Sequence, residues 1–133
     1  MAGEEALIVA GVGCRRGTTA DEIERVVRLA LGMFDLAPER LDAIATESEK
    51  ATEPAFLEAA QRLSVKLIAC TVADLDRVAG QVLTPSLMVL ETKGVPSIAE
   101  ASGLVVAGQN ARLLGTRVAT AAATCAIAIG EGR

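Results

Sequence analysis

Three times along this chain a short apolar run of strand length gives way to a polar turn and then to a helical pattern, and that alternation leaves little choice of architecture. The first run, Ala6 to Val12, is nearly continuous and rich in Ile and Val, as expected of a strand buried on both faces. It leads into Gly11-Val12-Gly13-Cys14-Arg15-Arg16-Gly17-Thr18-Thr19, where three glycines in seven residues allow a sharp turn. Thr19 and Glu22 then stand at capping-box spacing, and Ile23, Val26, Val27, Ala30, Leu31 and Phe34 recur at helical intervals. The spacing predicts a helix to about Phe34, with Pro38 beyond it. Leu41 to Ala45 reads as a second strand, followed by the polar segment Thr46 to Glu53 and a helix opening at Pro54 with Phe56, Leu57, Ala60 and Leu63 on one face. Val65 to Ala69 reads as a third strand, and Thr71 with Asp74 caps the helix that follows.

Strand, helix, strand, helix at this spacing means right-handed βαβ units. Further on, Pro85 interrupts the apolar Val82 to Leu90, which reads as a loop over the site or a docking segment. Thr92-Lys93-Gly94-Val95-Pro96-Ser97 is a second glycine-containing loop, with Ser97 and Glu100 at capping-box spacing before a helix to about Ala107. Arg112 to Ala119 and Thr124 to Ile129 read as two closing strands, although the alanines between them give no hairpin signal. The expected fold is α/β: a single three-layer domain over residues 1–133, a mostly parallel sheet flanked by helices, and a closing C-terminal strand pair.

Composition excludes several functions. Without histidine there is no imidazole metal site, Ser-His triad or Cys-His dyad, so any chemistry falls to carboxylates, Lys, Arg or Cys. Two Phe are the only aromatics and the net charge is −4, which disfavours nucleic acid. Cys14, Cys70 and Cys125 are widely spaced and form no C-x-x-C, so neither a disulfide framework nor a zinc site is expected, and no metal or cofactor is assigned. No apolar run reaches membrane-spanning length and no signal peptide is evident, so the expected compartment is the cytoplasm, with no membrane partner.

In open α/β sheets ligands bind outside the carboxyl ends of the strands. The loops expected there carry Arg15, Arg16, Lys50 and Lys93 in a chain that is acidic overall, which points to a local polyanion site for phosphate or carboxylate. Arg16 stands where a dinucleotide fingerprint needs a small residue, and Gly17-Thr18 lacks the lysine of a P-loop. Cys14, in a basic loop, is either a nucleophile or a small packing residue. Glu100 is either a general base beside Lys93 or only a cap.

Three blocks, Gly11-Val-Gly-Cys-Arg-Arg-Gly-Thr, Ala45-Thr-Glu-Ser-Glu-Lys-Ala-Thr-Glu-Pro and Gly94-Val-Pro-Ser-Ile-Ala-Glu-Ala, together resemble the CobE / CbiG C-terminal domain family of cobalamin (vitamin B12) biosynthesis, most like its stand-alone CobE branch. The resemblance implies an α/β fold and a role among precorrin and corrin intermediates. This chain would act as a carrier or a component of a ring-modifying step, as a lactone-opening hydrolase releasing acetaldehyde, or as a docking partner for other pathway enzymes. Whether it is an enzyme is left open. Carried over by position, the implied ligand-binding residues are Gly11, Gly13, Cys14, Arg15, Arg16, Gly17, Thr18, Lys50, Gly94, Val95 and Ser97, with Lys93 added from its loop and Glu100 as the candidate catalytic residue. Precorrins are rimmed by carboxylates that suit arginine forks, and with no imidazole the ring periphery rather than any cobalt would be gripped. Gly103 stands inside the last expected helix, at a cost of about 1 kcal/mol relative to alanine.

Overall fold

The computed structural model describes residues 6–81 and 97–132. Strand β1 (Leu7–Cys14) lies mid-sheet, its alternate side chains buried on opposite faces. It is followed by α1 (Ala20–Met33), β2 (Ala43–Glu47), the single turn α2 (Ser48–Ala51), α3 (Pro54–Leu63), β3 (Lys66–Cys70) and α4 (Val72–Arg77). After the undescribed segment come α5 (Ile98–Ala107), β4 (Arg112–Leu113), β5 (Val118–Ala119) and β6 (Ala123–Gly130). The strand order is β3-β2-β1-β6-β4, with β5 also paired to β6.

The first half of the chain follows the sequence pattern because its signals are local. The Thr19 hydroxyl accepts from the Glu22 N–H, Pro54 opens α3, and Thr71 and Asp74 complete a reciprocal capping box. Strand β2 is displaced two residues towards the C-terminus relative to the expected Leu41–Ala45. Asp42 forms a clamp instead, its carboxylate accepting from Ile8 N at 2.8 Å and its N–H donating to Ile8 O at 2.9 Å. Thr46 and Glu47 belong to the strand although both are polar, and the buried Thr46 hydroxyl is satisfied by Val12 O at 2.7 Å.

Only β1, β2 and β3 are mutually parallel. The last strand does not close an edge. Apolar on both faces from Cys125 to Ala128, β6 inserts antiparallel beside β1 along its whole length, where burial on both sides is available. The turn leading into it is made by Thr120, whose hydroxyl accepts from Ala122 N and Ala123 N while its N–H donates to Ala123 O at 2.8 Å.

On one face of the sheet, α1 and α3 cover Ile8, Ala10, Val12, Ile44, Cys125 and Ile127. Arg62 of α3 bridges to Asp21 and Glu24 of α1 on the outer surface. On the other face α5 lies against β1 and β6, nearly all of it buried. Its close approach has a simple cause. A Cβ on Gly11 would lie 1.9 Å from Ala99 O and 2.6 Å from Gly103 N, and one on Gly130 would lie 2.3 Å from Ala107 O. Ala99, Gly103 and Ala107, four residues apart, form the small-residue seam that meets these glycines. Gly103 therefore does not shorten the helix, because a side chain there would press on Ala128 of β6. No helix among the described residues is long and apolar enough to cross a membrane.

Candidate functional site

The carboxyl ends of β1 and β2 share one edge of the molecule with the first turn of α5 and the β5–β6 turn. Strand β1 continues to Cys14, so Gly11 and Gly13 lie within it rather than in the loop that the sequence suggests. Their glycine character serves close packing: Gly11 is buried under α5, and a Cβ on Gly13 would come within 3.1 Å of the Thr124 hydroxyl of β6. The turn proper is Arg15 to Thr18. Arg15 N donates to Ala122 O at 3.2 Å, and the buried Thr18 hydroxyl donates to Arg15 O at 2.7 Å, which pins the turn to the neighbouring β5–β6 turn. Gly17 takes φ 83°, a conformation that favours glycine, and is fully open. Held this way, the Arg15 and Arg16 side chains are exposed and paired with no described residue.

Lys50 projects from α2 just after β2, its Nζ 3.5 Å from Glu53 Oε2. It lies close enough to Cys14 to act on its charge. Burial pushes the Cys14 thiol above its ordinary range; the Thr18 hydrogen bond and Lys50 oppose that shift, and Glu53 and Glu47 reinforce it. The thiol is therefore protonated at neutral pH, and the packing alternative for Cys14 fits the structure better than the activated nucleophile.

Ser97 caps α5, its hydroxyl accepting from Glu100 N. Glu100 is wholly buried, and its Oε2 accepts from Arg117 N at 3.2 Å, so this carboxylate faces protein rather than solvent. The remaining sequence candidates, Lys93, Gly94 and Val95, lie outside the described residues, as do residues 82–91 of the expected covering loop. Thus Cys14, Arg15, Arg16, Gly17, Thr18 and Lys50 share the edge, with Ser97 alongside at the start of α5.

Thr46 and Glu47, expected in the loop that carries Lys50, are instead buried at the end of β2, and Arg117, which the sequence did not single out, leads into β5. Among the described residues no group of cysteines and carboxylates could hold a metal ion. The edge offers exposed guanidinium groups and a glycine turn, a chemistry that grips carboxylates or phosphates.

Comparison with known proteins agrees over most of the chain. The family model described as cobalamin synthesis G C-terminus matches residues 8–128. Protein CobE of Sinorhizobium sp is 36% identical over 121 residues, 91% of this chain and 79% of that protein. The cobalt-precorrin-5A hydrolase of Priestia megaterium is 26% identical over 102 residues, 77% of this chain but only 27% of the hydrolase. The crystal structure of CobE, a protein from the cobalamin (vitamin B12) biosynthetic pathway, superposes with a TM-score of 0.89 at 31% identity, covering 96% of this chain and 93% of that one.

Proposed function

The chain belongs to the cobalamin synthesis G C-terminus family of cobalamin-biosynthesis proteins, and from that footing we propose that it binds a carboxylate-rich precorrin or corrin intermediate at the carboxyl-end edge of β1 and β2. The observation that carries the reading is the pair Arg15 and Arg16, exposed and without an ion-pair partner among the described residues, on a turn whose backbone is fixed by Thr18 and Ala122. A guanidinium that must first break an internal salt bridge loses part of its binding energy, whereas these two do not. Their forks match the acetate and propionate arms of the ring, and Lys50 adds a third positive charge on the same edge. The chain acts as a carrier or as a component of a ring-modifying step. Three free cysteines suit the reducing cytoplasm in which such a pathway would run.

Likeness to the hydrolase supports a second reading, a lactone opening with Glu100 as base and loss of acetaldehyde. The chain spans about a quarter of that protein, and Glu100 is buried against the Arg117 backbone. The burial of Glu100 favours the carrier. Acetaldehyde released by this chain alone, and abolished in Glu100→Gln, would reverse that preference.

The direct test replaces Arg15 and Arg16 together with Ala and measures affinity for cobyrinic acid, a corrin whose peripheral arms are free carboxylates. Loss of two charge-assisted contacts should weaken binding by about a hundredfold. Unchanged affinity would refute the proposed edge.

A further inference from the structure

Strands β4 and β5 read as one edge strand that has been broken. Leu113 lies opposite Ala128 and Val118 opposite Cys125, so the outer strand advances five positions while β6 advances three. Two residues are thereby extruded from the ladder. The last regular bond, Leu114 N to Ile127 O at 3.0 Å, comes just before the extrusion. Gly115 lies inside it, where a Cβ would sit 2.8 Å from the Phe34 ring. Arg117 ends it. Its N–H, no longer facing β6, donates to Glu100 Oε2 at 3.2 Å, and Glu100 is wholly buried in the first turn of α5. A buried carboxylate that accepts from this N–H fixes the backbone at Arg117 to the first turn of α5. The Arg117 side chain is half-buried and pairs with no described residue.

Bulges of this kind re-aim a side chain beside a binding site. We propose that the bulge presents Arg117 as a further ligand-contacting residue, gripping a carboxylate arm on the side of the ligand opposite Lys50, with Glu100 as the positioning residue that fixes it. The inference rests on the corrin-binding reading above and deepens it. Between the strand that precedes Lys50 and the strand that Arg117 enters lie three strand spacings of about 4.8 Å, roughly 14 Å in all, a breadth suited to a flat macrocycle with extended arms. On the competing view the bulge only blunts an exposed edge strand, and Arg117 is then replaceable.

The experiment titrates the full chain with cobyrinic acid, and with cobinamide, whose ring arms are amides, as the control. Arg117→Gln should weaken cobyrinic acid about tenfold, flatten the salt dependence of binding and leave cobinamide binding unaffected. Arg117→Lys should restore part of the affinity through charge without the fork. Glu100→Gln should lower affinity only while Arg117 is present, so the two single effects should not add. If Arg117→Gln binds as tightly as the native chain while the Arg15/Arg16 double variant does not bind, the inference fails and the corrin-binding reading stands. Additive effects of the two single changes would remove Glu100 from the positioning role. If the native chain does not bind cobyrinic acid at all, both fall together.

Discussion

A methyl group at Gly11 would lie 1.9 Å from Ala99 O, inside the contact between β1 and α5, and both elements are held there by backbone. Gly11→Ala should therefore destabilise the protein by about 3 kcal/mol, measured as a lowered urea midpoint at unchanged slope. The sequence showed a glycine-rich turn; what it did not show was that Gly11 makes room for a helix some ninety positions later. Cys14 carries a similar lesson. A basic loop left a nucleophile open, but burial outweighs Lys50 and pushes the thiol pKa up. Burial raises the Cys125 thiol as well. Each folded-state pKa lies above its unfolded value, so this contribution is fully present below about pH 8.5 and is lost as pH rises beyond it, where the unfolded thiols ionise before the folded ones. The urea midpoint should fall between neutral pH and about pH 9.5, and fall less in Cys125→Ala.

Helix caps were legible because each is written within four residues. Thr71 and Asp74 reciprocate as their spacing suggests, and α4 is only six residues long, so Thr71→Ala should cost about 1 kcal/mol and raise hydrogen exchange across α4 before any global loss. Strand β6 was legible as a strand but not as a central one, because its place beside β1 depends on pairing with residues more than a hundred positions away. Its apolar character on both faces, Cys125 through Ala128, was the clue that it would not be an edge. The turn before it lacked glycine and asparagine, and the Thr120 hydroxyl does the work those residues usually do. Broken strands such as β4 and β5 leave no sequence signal beyond Gly115, since the extruded residues are visible only against the register of the partner.

For the molecule as a whole, an acidic chain sets two adjacent unpaired arginines, Arg15 and Arg16, on the edge that also carries Lys50, and that local placement, not net charge, decides what the edge can bind. The α/β architecture and the clustering of Cys14 to Thr18 with Lys50 followed from βα alternation and the rule that loops converge at strand carboxyl ends. Arg117 did not, because it enters through the return strands rather than through a βα loop. The central claim is that carboxylate arms of a corrin are recognised at this edge, and equilibrium titration in the visible region tests it directly, since the chain itself has no chromophore there. Cobyrinic acid should bind saturably, with affinity falling as salt is raised, and cobinamide should bind far more weakly. Equal affinity for the two, or none for either, would contradict the account.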